Sequence, residues 1–439
     1  MKAWFRNVFK KVQTPAYYFA HIPKTAGTSF IVLLDRYFPD SVIMPEQLWR
    51  QVGRISDVKA QDYQLIRGHF GGGGAIMLTD RPVKHFTMLR DPVELSYSTY
   101  EFIKREQNTV VHELVVGEQL SFEDFLNHPD TQNLVQNRMV RYLSFDFNDD
   151  PSAQEVFLSP QTVQSIQGLL KPSGQTLNNE ERFNRAKNWL DKALWFGVLD
   201  RFDEAMQLLC YRMKWPPIGA SQKLNKHHKR PVISELARQR VLQNNREDSR
   251  LYDYAQHQFA HQYRAMLTAL GCNELSSSSD INAALDQHYQ NAYAEQHKSL
   301  QAVEFDCGQI LLGQNWHRRE WLDQEQAYFR WSGPATVSSL DFWLEPYDYS
   351  IEITIINALS DSFLDDLTVQ VNGHTVAWSS DDVGVVRTLR LICPKNSLRD
   401  NGLLRLSFEC ADVLPHAEAF ASDDLRKVGF ALKNIVIKR

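Results

Sequence analysis

The run His21-Ile22-Pro23-Lys24-Thr25-Ala26-Gly27-Thr28-Ser29 places a cation, a glycine and several hydroxyls side by side. That set suits an anion. Lys24 supplies a full charge, Gly27 allows close approach of the backbone, and Thr28 and Ser29 offer hydroxyl donors. A helix starting here adds its unpaired first-turn N–H groups and the positive end of its dipole. The order excludes the ATPase loop GxxxxGK[ST], because the lysine precedes the glycine and no glycine opens the run, so a different phosphate-like group is implied. A second cation, Arg90, stands directly before Asp91-Pro92, with Ser98 further along the same segment. Between the two, His69 sits in Arg67-Gly68-His69-Phe70 just ahead of Gly71-Gly72-Gly73-Gly74. An imidazole titrates near neutrality and can take the proton of an attacking hydroxyl. His21 and His85 lack that context and read as packing residues.

These groups need elements to position them. From Tyr17 to about Cys272, short apolar runs alternate with longer amphipathic ones, the pattern of an α/β layer fold. Strands are expected at Tyr17–Ile22, Tyr63–Arg67, Val83–Leu89 and Leu194–Leu199. The first is followed by a helix whose Phe30, Leu33, Leu34 and Tyr37 share one face, closed by Pro39 and Asp40. The four glycines after Phe70 argue against regular structure there and permit close backbone approach. Asp91 as N-cap, Pro92 at the first helical position and Glu94 behind them mark a second helix start. A third helix follows Asp200 through Phe202, Met206, Leu209 and Cys210. The expected architecture is a P-loop-like parallel sheet flanked by helices, with the anion loop and Arg90 at strand-to-helix junctions.

The segment Pro23 to Ser29 resembles the PKTAGTS donor loop of the sulfotransferase family that includes heparan sulfate 2-O-sulfotransferase and many bacterial members. Leu89 to Tyr100 is similar to that family's RDPxxRxxSxY element. The resemblance implies a PAPS donor, 3'-phosphoadenosine-5'-phosphosulfate, with its 5'-phosphosulfate end on Lys24, Thr25, Ala26, Gly27, Thr28 and Ser29 and with Lys24 next to the bridging oxygen. It implies that Arg90 and Ser98 hold the 3'-phosphate, and that His69, in a matching Gly-His context, is the catalytic base. Glutamate serves as base in some related enzymes, which keeps Glu94 and Glu101 as alternatives. One departure is Leu95, which stands where the family usually has arginine. Lys229 and Arg230, in the basic run Lys223 to Arg230, fall where related enzymes carry a basic loop beside the nucleotide; a solvated charged loop is the other reading. Phe196 to Asp203 and Asp248 to Tyr252 also look like family segments and are expected to pack rather than react. The implied reaction is in-line transfer of a sulfuryl group to an acceptor hydroxyl, such as that of a carbohydrate, without a metal. A non-catalytic nucleotide- or glycan-binding protein retaining the fold is the alternative, and a nucleotide kinase a weaker third.

Beyond Cys272 the pattern changes. Asn273 to Asp280, rich in serine, is too polar to bury, and a polar helical segment is expected from Ile281 to about Leu300. The domains expected are 1–272, a linker or helical segment 273–300, and 301–439. The last contains alternating runs at Tyr349–Ile356, Leu367–Val371, Thr375–Trp378, Val386–Ile392, Leu403–Phe408 and Lys433–Ile437, with Asn372-Gly373 as a hairpin signal, which reads as a jelly-roll-like β-sandwich. Trp316, Glu320, Trp321, Phe329, Arg330 and Trp331 cluster near its start, either as sandwich core or as a sugar-holding surface. With 439 residues, burial is ample without staples. A net charge of -5 argues against a general nucleic-acid binder, so anion binding has to be local. The five cysteines are odd in number, scattered and without a CxxC pair, which suits reduced thiols in a cytoplasmic setting and no zinc site. No run of the sequence is apolar enough for a signal peptide or an integral membrane span.

Overall fold

The computed structural model describes residues 14–109, 111–146, 177–219, 233–360, 362–383, 386–420 and 422–439. These residues form two compact units. One takes the described residues of Met1–Thr28, Ser41–Ala205 and Asn225–Gln262; the other takes those of Ser29–Asp40, Met206–Leu224 and Tyr263–Arg439.

In the first unit, β1 (Ala16–Ala20), β2 (Leu65–Gly68), β3 (Val83–Leu89) and β4 (Trp195–Val198) make a parallel sheet in the order β2-β1-β3-β4. Near-continuous apolar strands are what a sheet flanked by helices requires, and Tyr18, Phe19, Leu65, Ile66, Phe86, Met88 and Val198 are all buried. The helices that matter to the site are α1 (Gly27–Leu34), of which only Gly27 and Thr28 belong to this unit, α2 (Gly74–Leu78), α3 (Pro92–Arg105) and α4 (Arg138–Leu143). The glycine run is less irregular than its composition suggests, because its fourth member, Gly74, opens α2. At α3 the expected cap is present: the Asp91 carboxylate accepts from the Val93 and Glu94 amides at 2.9 and 3.0 Å, with proline at the first helical position. The buried side of α3, Val93, Tyr100 and Ile103, packs with Phe122, Phe125, Ala237 and Val241.

The second unit is antiparallel and β-rich. A seven-stranded sheet runs Trp378–Val383, Val386–Cys393, Tyr349–Ala358, Phe430–Lys438, Ala327–Trp331 and Glu320–Leu322, with Val303–Asp306 also pairing to Phe430–Lys438. A five-stranded sheet runs His374–Thr375, Thr368–Val371, Leu403–Glu409, Val337–Trp343 and Gly313–Gln314. Alternate residues of both, among them Ile351, Ile353, Leu389 and Ile435 from one and Val369, Val371, Leu406 and Phe408 from the other, share one core. Asn372 and Gly373 both take positive φ, 50° and 86°, and turn Gln370 and Val371 back onto Thr375 and His374. The single strand expected at Thr375–Trp378 is divided between two sheets. The polar helix starts earlier than expected, at Ser278–Gln296, because Ser277 and Asp280 form a capping box.

Trp316 and Trp331 are buried, and Arg330 is enclosed with its guanidinium donating to the Cys307 and His317 carbonyls at 3.3 and 3.1 Å. Of the six residues in that cluster Trp321 is the exposed one, at 47%, while Glu320 pairs with Arg426 at 2.7 Å. The cluster is therefore core rather than one open sugar-facing surface. Residues 35–38 belong to the same unit: Arg36 donates to the Trp316 carbonyl at 2.6 Å, Arg319 to the Phe38 carbonyl at 2.6 Å, and Tyr37 stacks on Trp215 at 3.8 Å.

A buried ionic triad ties the polar helix to the sheet. Arg405 bonds both oxygens of Asp341 at 2.7 Å and both oxygens of Asp286 at 2.8 Å, and the Asp341 side chain has no exposure. Removing the cation alone strands a buried carboxylate. Arg405→Met is expected to destabilise the protein by about 3–5 kcal/mol. Urea unfolding followed by tryptophan fluorescence measures this, and an unchanged midpoint would dismiss the triad as a fastening.

Candidate functional site

In the order β2-β1-β3-β4 the chain leaves β1 toward β2 on one side and leaves the adjacent β3 toward β4 on the other. The carboxyl ends of β1 and β3 therefore mark the switch point of the sheet, the usual ligand position in an open parallel sheet. The anion loop follows β1 and Arg90 follows β3.

Lys24 and Ala26 both hold positive φ, 71° and 63°, which costs side-chain-bearing residues about 1–3 kcal/mol each. Two bonds hold this backbone. The buried Thr25 hydroxyl donates to the Ile22 carbonyl at 2.8 Å, and the Arg90 guanidinium donates to the Lys24 carbonyl at 3.0 Å. Thr25 thus braces the loop rather than offering its proton to a ligand. The first-turn amides of α1, from Gly27 on, have no acceptor within their own helix, so the start of α1 can present N–H groups to an anion. Gly27 is required sterically: a Cβ there would lie 1.7 Å from Nε2 of His21. Thr28 is exposed and Ser29 half-buried in the first turn of α1.

The half-buried Lys24 ammonium lies 4.2 Å over the Phe102 ring. Burial first, then the nearby Arg105, Arg90 and Arg138, lower its pKa to about 8, with Glu106 acting the other way. Arg90 also pairs with Glu94 at 3.3 Å, one turn into α3. Glu94, Ser98, Phe102 and Arg105 follow at helical spacing along one face of that helix. Leu95, by contrast, is 2% exposed. An arginine there would have to bury its charge.

Nδ1 of His69 lies 2.8 Å from the His21 carbonyl oxygen. A carbonyl can only accept, so Nδ1 carries the proton and Nε2 is left as the basic nitrogen. Burial lowers the His69 pKa to about 4, so the ring is neutral at neutral pH. His21, expected only to pack, stacks on His69 at 4.2 Å and on Phe19 at 5.4 Å; its own pKa is pushed well below the ordinary range by burial and by its neighbour. His85 packs against Trp189 at 5.0 Å, as expected.

What the glycine run approaches is the chain itself. A Cβ on Gly72 would lie 2.0 Å from the Leu143 carbonyl oxygen, and the Gly72 amide donates to the Tyr142 carbonyl at 2.7 Å. This packing brings α4, and with it Arg138, to the site. Arg138 was not legible as a site residue, since Asn137 to Ser144 reads as an ordinary amphipathic turn. The structure thus brings Lys24, Gly27, His69 and Arg90 to one edge of the sheet, with Ser98 along the neighbouring helix. Lys229 and Arg230 lie outside the described residues. Among the described residues no three His, Cys, Asp or Glu side chains are grouped to hold a metal ion, and no helix is long and apolar enough to cross a membrane.

No protein-family profile matches the chain, and no curated protein matches it by sequence. Among solved structures it is similar to a sulfotransferase from Alicyclobacillus acidocaldarius, at 13% identity and a TM-score of 0.31 over 56% of this chain and 96% of that one. It is also similar to a family GH115 4-O-methyl-α-glucuronidase with specificity for decorated arabinogalactans, at 9% identity and a TM-score of 0.20 over 81% and 51% of the two chains.

The lowered pKa of Lys24 gives a direct test of the site. In the free protein its amine should titrate near pH 8, and a bound anion should move it back up. Carbon-13 NMR of methylated lysines, with Lys24→Met for assignment, reads both values in the absence and presence of sulfate. A midpoint at the ordinary lysine value in the absence of anion would contradict the burial and crowding described here.

Proposed function

We propose that the protein is a sulfotransferase that moves the sulfuryl group of 3'-phosphoadenosine-5'-phosphosulfate to an acceptor hydroxyl, with carbohydrates as the acceptor class to test first. One observation carries this reading: the Nδ1 proton of His69 is committed to the His21 carbonyl, which leaves a neutral, basic Nε2 on the sheet edge that also carries the Lys24 loop. The PKTAGTS-like and RDP-containing segments support it, each standing where a strand ends and a helix begins.

The residues present fit such a donor. Lys24, the loop through Gly27 and the first-turn amides of α1 up to Ser29 would hold the phosphosulfate end, while Arg90 and Ser98 would hold the 3'-phosphate. Lys229 and Arg230 complete the proposed donor set. His69 Nε2 accepts the proton of the attacking hydroxyl as the new O–S bond forms. Lys24 stabilises the charge left on the phosphate oxygen as the old S–O bond breaks. Because the histidine is already neutral at physiological pH, no proton has to leave it first. The Arg90 bond to the Lys24 carbonyl links the two anion contacts, so the loop and the 3'-phosphate contact are held in register. No step in this scheme calls for a metal.

Calorimetric titration with 3'-phosphoadenosine-5'-phosphate, using ADP as control, is the primary test. Preference for the 3'-phosphorylated nucleotide, weakened in Arg90→Ala, is expected. Equal binding of ADP would move a non-catalytic binding protein to the front. In a radiolabelled sulfate-transfer assay over a panel of saccharides, Lys24→Ala is expected to lower turnover about 10²–10³-fold. His69→Ala should lower it about 10²–10⁴-fold while nucleotide affinity is kept. Turnover unaffected by His69→Ala would transfer the role of base to Glu94 or Glu101.

A further inference from the structure

Arg138 opens α4 with its Nη1 donating to the Thr99 hydroxyl of α3 at 2.7 Å, and Thr99 directly follows Ser98. One turn later on α4, the Tyr142 hydroxyl donates to the carbonyl of Gly68, the residue before His69, at 3.0 Å. The guanidinium is thereby bracketed between the helix of the 3'-phosphate contact and the strand end that carries the base. Among the described residues no carboxylate makes a direct salt-bridge contact with it, and the charge that acts on it favourably from further off is that of Asp248. Its charge is felt at Lys24, at His21 and at His69 alike.

The start of α4 is held by a buried knot. Asn137, at a positive φ of 43°, donates its amide to Asn245 Oδ1 at 2.7 Å and accepts from the Glu247 and Asp248 amides at 3.1 Å. Asp248 in turn accepts from the Met139 and Val140 amides at 3.0 and 2.8 Å. Such a knot fixes the backbone on both sides of Arg138, at Asn137 and at Met139. The segment Asp248 to Tyr252 thus has a positioning role beyond packing.

In an in-line transfer the sulfur lies between the accepting and the leaving oxygen, that is, between His69 and Lys24. During the step one S–O bond forms and one breaks, the acceptor proton passes to His69, and the three peripheral sulfuryl oxygens keep their negative charge throughout. A guanidinium fork beside that line can bond two of these oxygens at once. We propose that Arg138 is a further catalytic residue, holding the peripheral oxygens of the sulfuryl group during transfer. This rests on the sulfotransferase reading above.

The test uses two nucleotides that differ only in the sulfuryl group. Dissociation constants for 3'-phosphoadenosine-5'-phosphosulfate and for 3'-phosphoadenosine-5'-phosphate are measured by calorimetry on the wild type, Arg138→Gln and Arg138→Lys. The expected result is a loss of about tenfold or more for the sulfated nucleotide in Arg138→Gln, a smaller loss in Arg138→Lys, and no change for the unsulfated one. If Arg138→Gln melts early, Thr99→Val, which removes only the anchoring hydroxyl, carries the same expectation. Equal losses for both nucleotides, or none for either, overturn the inference while the wild-type preference over ADP leaves the sulfotransferase reading standing. A wild type that binds neither nucleotide overturns both.

Discussion

Like charges crowd the carboxyl edge of the parallel sheet, and the structure around them exists to hold them against their own repulsion. Lys24 is half-buried among Arg90, Arg105 and Arg138, and its pKa is lowered first by that burial and then by these neighbours. The restraints come from several directions: the Arg90 bond to the Lys24 carbonyl, the Phe102 ring under the ammonium, the Thr99 hydroxyl under Arg138 and the Asn137–Asn245–Asp248 knot behind it. The same groups exposed separately would be more stable in water, and the proposed anion would supply the balancing charge. Glu94 pairs with Arg90, Glu106 acts on Lys24 and Asp248 acts on Arg138, each offsetting part of the charge.

The same edge accounts for the unusual backbone. Left-handed Lys24 and Ala26 could not persist in an isolated turn, and here the Thr25 hydroxyl and Arg90 together over-determine them. The histidine pair obeys a similar logic. Burial keeps both rings neutral, and the absent Cβ of Gly27 leaves the space in which His21 lies flat against His69.

Features governed by local chemistry were legible in the sequence. Asp91-Pro92 as a helix start, Asn372-Gly373 as a hairpin and the strand at Val83–Leu89 depend on neighbouring residues alone, and each is found where turn and periodicity rules put it. The proximity of Lys24, His69 and Arg90 was legible only through three strand-to-loop junctions taken together. Arg138 was not, because its place depends on glycines far away in the chain and on an asparagine and aspartate further still. The serine-rich stretch misled in a smaller way: polarity marked it as a connector, whereas Ser277 caps a helix. The aromatic cluster near Trp316 shows the opposite limit, since composition alone could not separate a sugar platform from a core.

The threading of the chain has a consequence for inheritance. Ser29–Asp40 and Met206–Leu224 belong to the β-rich unit although they are encoded within the α/β half, and Arg36 finds its acceptor on Trp316. A gene cut after Cys272 would leave Arg36 without its Trp316 acceptor and residues 29–40 without the unit they belong to. The β-rich unit is thus not simply appended to the end of the chain: one cut would not remove it whole, because two of its segments lie upstream.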